Sequence, residues 1–125
     1  RVIVLHKERE SGTETHVTHV VGDVRDRPCL IIDDMISTGG TLVESIEALT
    51  GAGARPEMFV AATHGLFVKD ARERLQGAGV REVWVTDTTP QPAGAGRQCC
   101  VVSVAPLLGA AIGRFLMDGS ISDLF

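Results

Sequence analysis

The chain has 125 residues, 44% of them hydrophobic and 22% charged, with 12 Lys and Arg against 16 Asp and Glu. This composition fits one folded domain and excludes a disordered segment, and a net charge of −4 argues against electrostatic binding to nucleic acid. No apolar run approaches the roughly 20 residues that span a bilayer, and since Val2-Ile3-Val4-Leu5 runs straight into charged residues no signal peptide is expected.

Val2-Ile3-Val4-Leu5 is a continuous apolar run and predicts a buried strand. A second extended region follows a polar loop, carrying Val17, Val20, Val21 and Val24. The strongest strand signal is Cys29-Leu30-Ile31-Ile32-Asp33. Beyond it, Leu42, Ile46 and Leu49 recur at helical spacing over residues 41–52, with Gly51 and Gly53 as stop signals. Phe59-Val60-Ala61-Ala62-Thr63 reads as the next strand, and residues 70–78 as an amphipathic helix with Ala71, Leu75 and Ala78 on one face. Val83-Trp84-Val85-Thr86 is a further strand, residues 88–98 a Pro- and Gly-rich loop, and Cys100-Val101-Val102-Ser103-Val104 the last strand. Pro106 suits the first turn of a helix carrying Leu108, Ile112, Phe115 and Leu116.

Strands that alternate with helices imply right-handed crossovers, and so an α/β fold with a mostly parallel sheet flanked by helices on both faces. With four Phe, one Trp and no Tyr, the core must be aliphatic. Three cysteines, two of them adjacent at 99 and 100, suit reduced thiols in a cytoplasmic protein better than a disulfide scaffold. The chain opens on Arg1, within an expected strand, as a piece of a longer protein would.

The chemistry concentrates in residues 33–41, Asp-Asp-Met-Ile-Ser-Thr-Gly-Gly-Thr. This stretch lies beyond the carboxyl end of a parallel strand, where ligands of such sheets bind. Gly39 and Gly40 let the backbone approach an anion, and the amides of the following helix point at it. Ser37, Thr38 and Thr41 add hydroxyl donors. Asp33 and Asp34 would repel a phosphate and suit sugar hydroxyls, or Mg²⁺ through water. A phosphorylated sugar answers both demands. The plainer reading makes Asp34 and Thr41 helix caps and the glycines an ordinary turn. Neither a Walker nor a dinucleotide glycine pattern is present.

This segment resembles the ribose-phosphate motif of the type I phosphoribosyltransferase fold, and other segments narrow the resemblance to the ribose-phosphate diphosphokinase family. His6-Lys7-Glu8-Arg9 is similar to that family's Lys-x-Arg element. Val21-Gly22-Asp23-Val24-Arg25-Asp26-Arg27, Thr63-His64-Gly65, Val85-Thr86-Asp87-Thr88-Thr89-Pro90 and the terminal Ser120-Ile121-Ser122-Asp123-Leu124-Phe125 also match. The resemblance covers essentially the whole chain and implies one phosphoribosyltransferase-like domain over residues 1–125, the carboxyl-terminal half of a two-half enzyme.

Such an enzyme transfers a diphosphoryl group from ATP to the anomeric hydroxyl of ribose 5-phosphate, with Mg²⁺. By match, Lys7 and Arg9, placed in a loop, stabilise the transition state. Ribose 5-phosphate is bound by Arg9, Asp33, Asp34, Ser37, Thr38, Gly39, Gly40 and Thr41. Any metal contact in this half runs from Asp33 and Asp34 through water. Most of the ATP pocket lies in the other half, so this fragment alone is expected to be inactive. The family forms homo-oligomers, from dimer to hexamer, and Ser120 and Ser122 match a regulatory anion site. Family members commonly carry a third acid where this chain has Ser37. The alternatives are a phosphoribosyltransferase consuming phosphoribosyl pyrophosphate and a non-catalytic regulatory paralogue.

Overall fold

In a computed structural model the described residues are 2–11, 14–91 and 98–124, with the side chains of 6–11, 14–19 and 123 outside the description. The opening apolar run does not enter the main sheet. Strand β1 (Val4–Ser11) pairs antiparallel with β2 (Glu14–Val21) in a separate two-stranded ribbon. Val2 and Val4 are exposed, so the expected buried strand becomes one arm of a hairpin. The ribbon is held to the body by Ile3, Leu5 and Val20, which pack against the core, and by contacts between β2 and the first helix.

The main sheet is parallel, in the order β3 (Cys29–Ile36), β4 (Met58–Gly65), β5 (Val80–Thr86), β6 (Cys99–Val102). Helix α1 (Gly40–Gly51) links β3 to β4, and α2 (Ala71–Gly77) links β4 to β5. Helix α3 (Ala105–Leu116) follows β6, with Pro106 in its first turn.

One expectation is corrected by this order. Each strand is laid beside its predecessor in the same direction, and right-handed crossovers then place successive helices on the same face. Helices α1 and α2 accordingly touch each other, and Leu42, Ile46, Leu49 and Leu75 are buried against Ile31, Val60, Ala62, Val83 and Val85. Each of those leucines and isoleucines contributes roughly 2 kcal/mol of burial. Ser45, also buried, donates its hydroxyl to the Thr41 carbonyl at 2.7 Å, which satisfies it inside the helix.

The other face stays open. Ile32 is 76% exposed and Trp84 38%, and Leu30 and Val102 are also exposed. Period-2 alternation therefore decides which half of each apolar strand is buried. Helix α3 buries none of its residues, and Leu108, Ile112, Phe115 and Leu116 all face solvent. Its far end carries the short 3-10 turn Ser122–Leu124, with Arg114 donating to the Ser120 carbonyl at 3.1 Å. The three cysteines are free thiols, and burial pushes Cys29 above the usual thiol range.

Candidate functional site

Strands β3, β4 and β5 all run toward one rim of the sheet, ending at Ile36, Gly65 and Thr86. At that rim Ile36 is fully buried and anchors the strand before the chain turns. Asp33 is half-buried and Asp34 exposed, and the Asp34 amide donates to Asp33 Oδ1 at 2.9 Å. Gly39 then takes a left-handed backbone angle, φ 78°, which a side chain would resist, and α1 begins at the next residue.

The start of α1 carries no side-chain cap, and its first turn holds no acidic residue. Neither Asp34 nor Thr41 serves as a cap, which removes the plainer reading of both. The first amides of a helix have no intrahelical partner, and here the sequence supplies none in compensation. Residues 33–42 enclose a pocket of about 340 Å³ around that helix start. Asp33, Asp34, Ser37, Thr38, Gly39, Gly40 and Thr41 all line it. Its lining offers amides and hydroxyls, which suit an anion, beside two carboxylates, which suit hydroxyls or a hydrated cation.

The loop is supported from behind by the turn after β4. The amides of Leu66 and Phe67 donate to the Ile36 carbonyl at 2.9 and 3.0 Å, and Val68 donates to Ser37 O at 2.9 Å. Gly39 also packs against Ala71 and Leu75 of α2. The sequence reading passed over residues 66–69; only the Gly65 that precedes them marks a tight turn.

His64 stands opposite Met35 in the β3–β4 register. Its Nδ1 lies 2.8 Å from Thr88 Oγ1, while Thr88 and Thr86 both donate to the Thr63 carbonyl, at 3.0 and 2.7 Å. These bonds tie the ends of β4 and β5 together. Histidine 64 is engaged in shaping the rim and does not line the pocket.

Lys7 and Arg9 are placed by their backbone only, in β1 opposite Val17 and Thr15, and their side chains lie outside the described residues. The expected loop is therefore a strand. Ser120 and Ser122 do not join the pocket; Ser120 Oγ accepts the Ser122 amide at 3.1 Å. Among the described residues no cluster of three His, Cys, Asp or Glu side chains is placed to hold a metal ion. No helix among them is long and apolar enough to cross a membrane.

Comparison with known proteins adds a family. The phosphoribosyl synthetase-associated domain matches residues 7–125. A ribose-phosphate pyrophosphokinase of Corynebacterium efficiens is 42% identical over 123 residues, 97% of this chain and 38% of that protein. Similar enzymes from Streptomyces avermitilis and Mycobacterium tuberculosis are 39% and 41% identical over 125 and 126 residues. The crystal structure of phosphoribosylpyrophosphate synthetase from Mycobacterium smegmatis superposes with a TM-score of 0.72 at 38% identity, covering 87% of this chain and 36% of that one. The chain spans somewhat more than a third of the relatives it matches.

Proposed function

The chain belongs to the phosphoribosyl synthetase-associated domain family, and on that premise we propose that it is the sugar-phosphate half of a ribose-phosphate pyrophosphokinase. Such an enzyme moves a diphosphoryl group from ATP to the anomeric hydroxyl of ribose 5-phosphate. The observation that carries the reading is the uncapped start of α1 facing a pocket that Asp33 and Asp34 also line. The relatives named above are ribose-phosphate pyrophosphokinases, which supports the substrate class.

In this reading the amides of residues 38–41 and the hydroxyls of Ser37, Thr38 and Thr41 hold the 5-phosphate. Asp33 accepts from ribose hydroxyls and fixes the ring, so that the anomeric oxygen is presented to the donor. The Asp34 amide, bonded to Asp33 Oδ1, keeps that carboxylate oriented. Lys7 and Arg9, both on β1, supply positive charge where phosphoryl oxygens gain negative charge. ATP is completed by the part of the enzyme that this chain does not include.

Two adjacent carboxylates beside a phosphate site fit the way Mg²⁺ is usually held, by one or two carboxylates with substrate oxygens and water. Asp33 and Asp34 would hold it, and bound there it would offset charge on the transferring phosphates. With Ser37 in place of a third acid, that hold is looser. A cytoplasmic homo-oligomer, with an anion site at Ser120 and Ser122 that senses phosphate, completes the proposal.

The test is titration of ribose 5-phosphate into the enzyme with amide NMR shifts as readout. Thr38, Gly39, Gly40 and Thr41 should move first. If they stay still while another surface responds, the assignment is wrong.

A further inference from the structure

Two residues in the turn behind the pocket hold left-handed backbone angles although neither is glycine, Phe67 at φ 45° and Lys69 at φ 57°. A residue with a Cβ resists this conformation and keeps it only where its surroundings impose it. Here the surroundings form a closed circuit. The Phe67 ring lies so close to Gly65 that a Cβ there would sit 2.6 Å from Phe67 Cε2. The Arg72 guanidinium stacks on that ring, 3.8 Å from its centre. Arg72 Nη2 donates to Gln91 Oε1 at 2.9 Å. The Gln91 side-chain amide then donates to the Gly65 carbonyl at 2.6 Å and to Thr89 Oγ1 at 3.1 Å. The circuit ends on the residue at which it began.

What this strained turn touches is the pocket. The amides of residues 66–68 occupy the carbonyls of Ile36 and Ser37, at the foot of the loop that carries the site. Neither Arg72 nor Gln91 lines the pocket itself. Backbone strain held by side chains beyond the ligand's reach is the signature of a site set before its ligand arrives.

We propose that Gln91 and Arg72 are positioning residues for the pocket of residues 33–42. By clamping the 66–69 turn they fix the carbonyls of Ile36 and Ser37, and so hold the backbone of residues 37–41 in one binding-competent conformation. The inference rests on the preceding reading only for its ligand. The preorganisation itself belongs to the empty protein.

Two variants and two measurements test it in the full-length enzyme. Gln91→Met keeps the length of the side chain and removes its hydrogen bonds to Arg72, Gly65 and Thr89. Arg72→Lys keeps the charge and removes the planar fork and the stacking. Each is compared with wild type well below its own unfolding temperature, by hydrogen exchange of the Leu66 and Val68 amides, which donate to the Ile36 and Ser37 carbonyls, without ligand and by calorimetric titration of ribose 5-phosphate. Both amides should exchange faster in both variants. If the competent loop falls to about a tenth of the population, affinity falls about tenfold, since apparent binding scales with that fraction. Unchanged exchange at Leu66 and Val68 in both variants overturns the positioning role. Should wild type fail to bind ribose 5-phosphate at the loop, the preceding reading falls, while the exchange result still decides the clamp.

Discussion

Asp87 and Val104 tie the end of β5 to the start of α3: Asp87 Oδ1 accepts the Val104 amide at 2.9 Å. The other carboxylate oxygen takes the Ser103 hydroxyl at 2.5 Å, and Ser103 Oγ in turn accepts the Ala105 amide at 3.2 Å. Asp87 and Ser103 thus satisfy the first two amides at the start of this helix, whose own cap position, Val104, offers no side-chain bond.

These bonds, first the Ser103 hydroxyl and then the Val104 amide, hold the Asp87 carboxyl below its ordinary value of 3.8. A depressed carboxyl contributes stability above its unfolded value and loses it as pH falls through the folded one. Thermal midpoints of wild type and Asp87→Asn should therefore differ most at pH 6 and converge below pH 3.8. Parallel curves from pH 6 to 3 would count against the capping role.

Gly65 has no room for a methyl group. An added Cβ would meet Phe67 Cε2 at 2.6 Å, Val85 Cγ1 at 2.9 Å and Gln91 Nε2 at 3.1 Å. Gly65→Ala should destabilise the fold by about 1–3 kcal/mol, the range of overpacked sites, measured by urea denaturation.

Gly51 is the opposite case. It is the last residue of α1, exposed, with nothing within 4 Å of an added Cβ. Gly51→Ala should raise stability by about 0.4–1 kcal/mol through the unfolded chain's lost freedom. The same denaturation series checks both substitutions, and a loss at position 51 would contradict the geometry.

If Lys7 and Arg9 act on the transferring group, their removal separates rate from binding. Lys7→Ala and Arg9→Ala should lower turnover of the full-length enzyme about 100-fold, as loss of a transition-state donor does, with a much smaller loss of ribose 5-phosphate affinity. Equal losses in both would make them ground-state anchors.

The fold was legible in the sequence where a local signal is also a global one. Leu42, Ile46 and Leu49 repeat at helical spacing and are buried, and the strand starting at Cys29 lies where its apolar run predicts. The pocket followed too, because Asp33 to Thr41 is contiguous and carries its own geometry. What was misread depends on neighbours. Val2 to Leu5 looks like a core strand, yet its backbone pairs only with a ribbon partner, and Ile32 looks buried until the strand order leaves its face open. The clamp behind the pocket joins Gly65, Phe67, Arg72 and Gln91 from four positions with no common motif. Only the folded chain brings them together.

The strand order has a kinetic side. Every strand of the main sheet pairs with the next one in the chain, so its longest first closure is Cys29 to Met58 and its shortest Val83 to Cys99. Closure entropy grows only with the logarithm of loop length, and these extremes differ by about 0.5 kcal/mol. No pairing must wait for a distant partner. A sheet so ordered can be added to one strand at a time as the chain leaves the ribosome, each strand finding its template already laid.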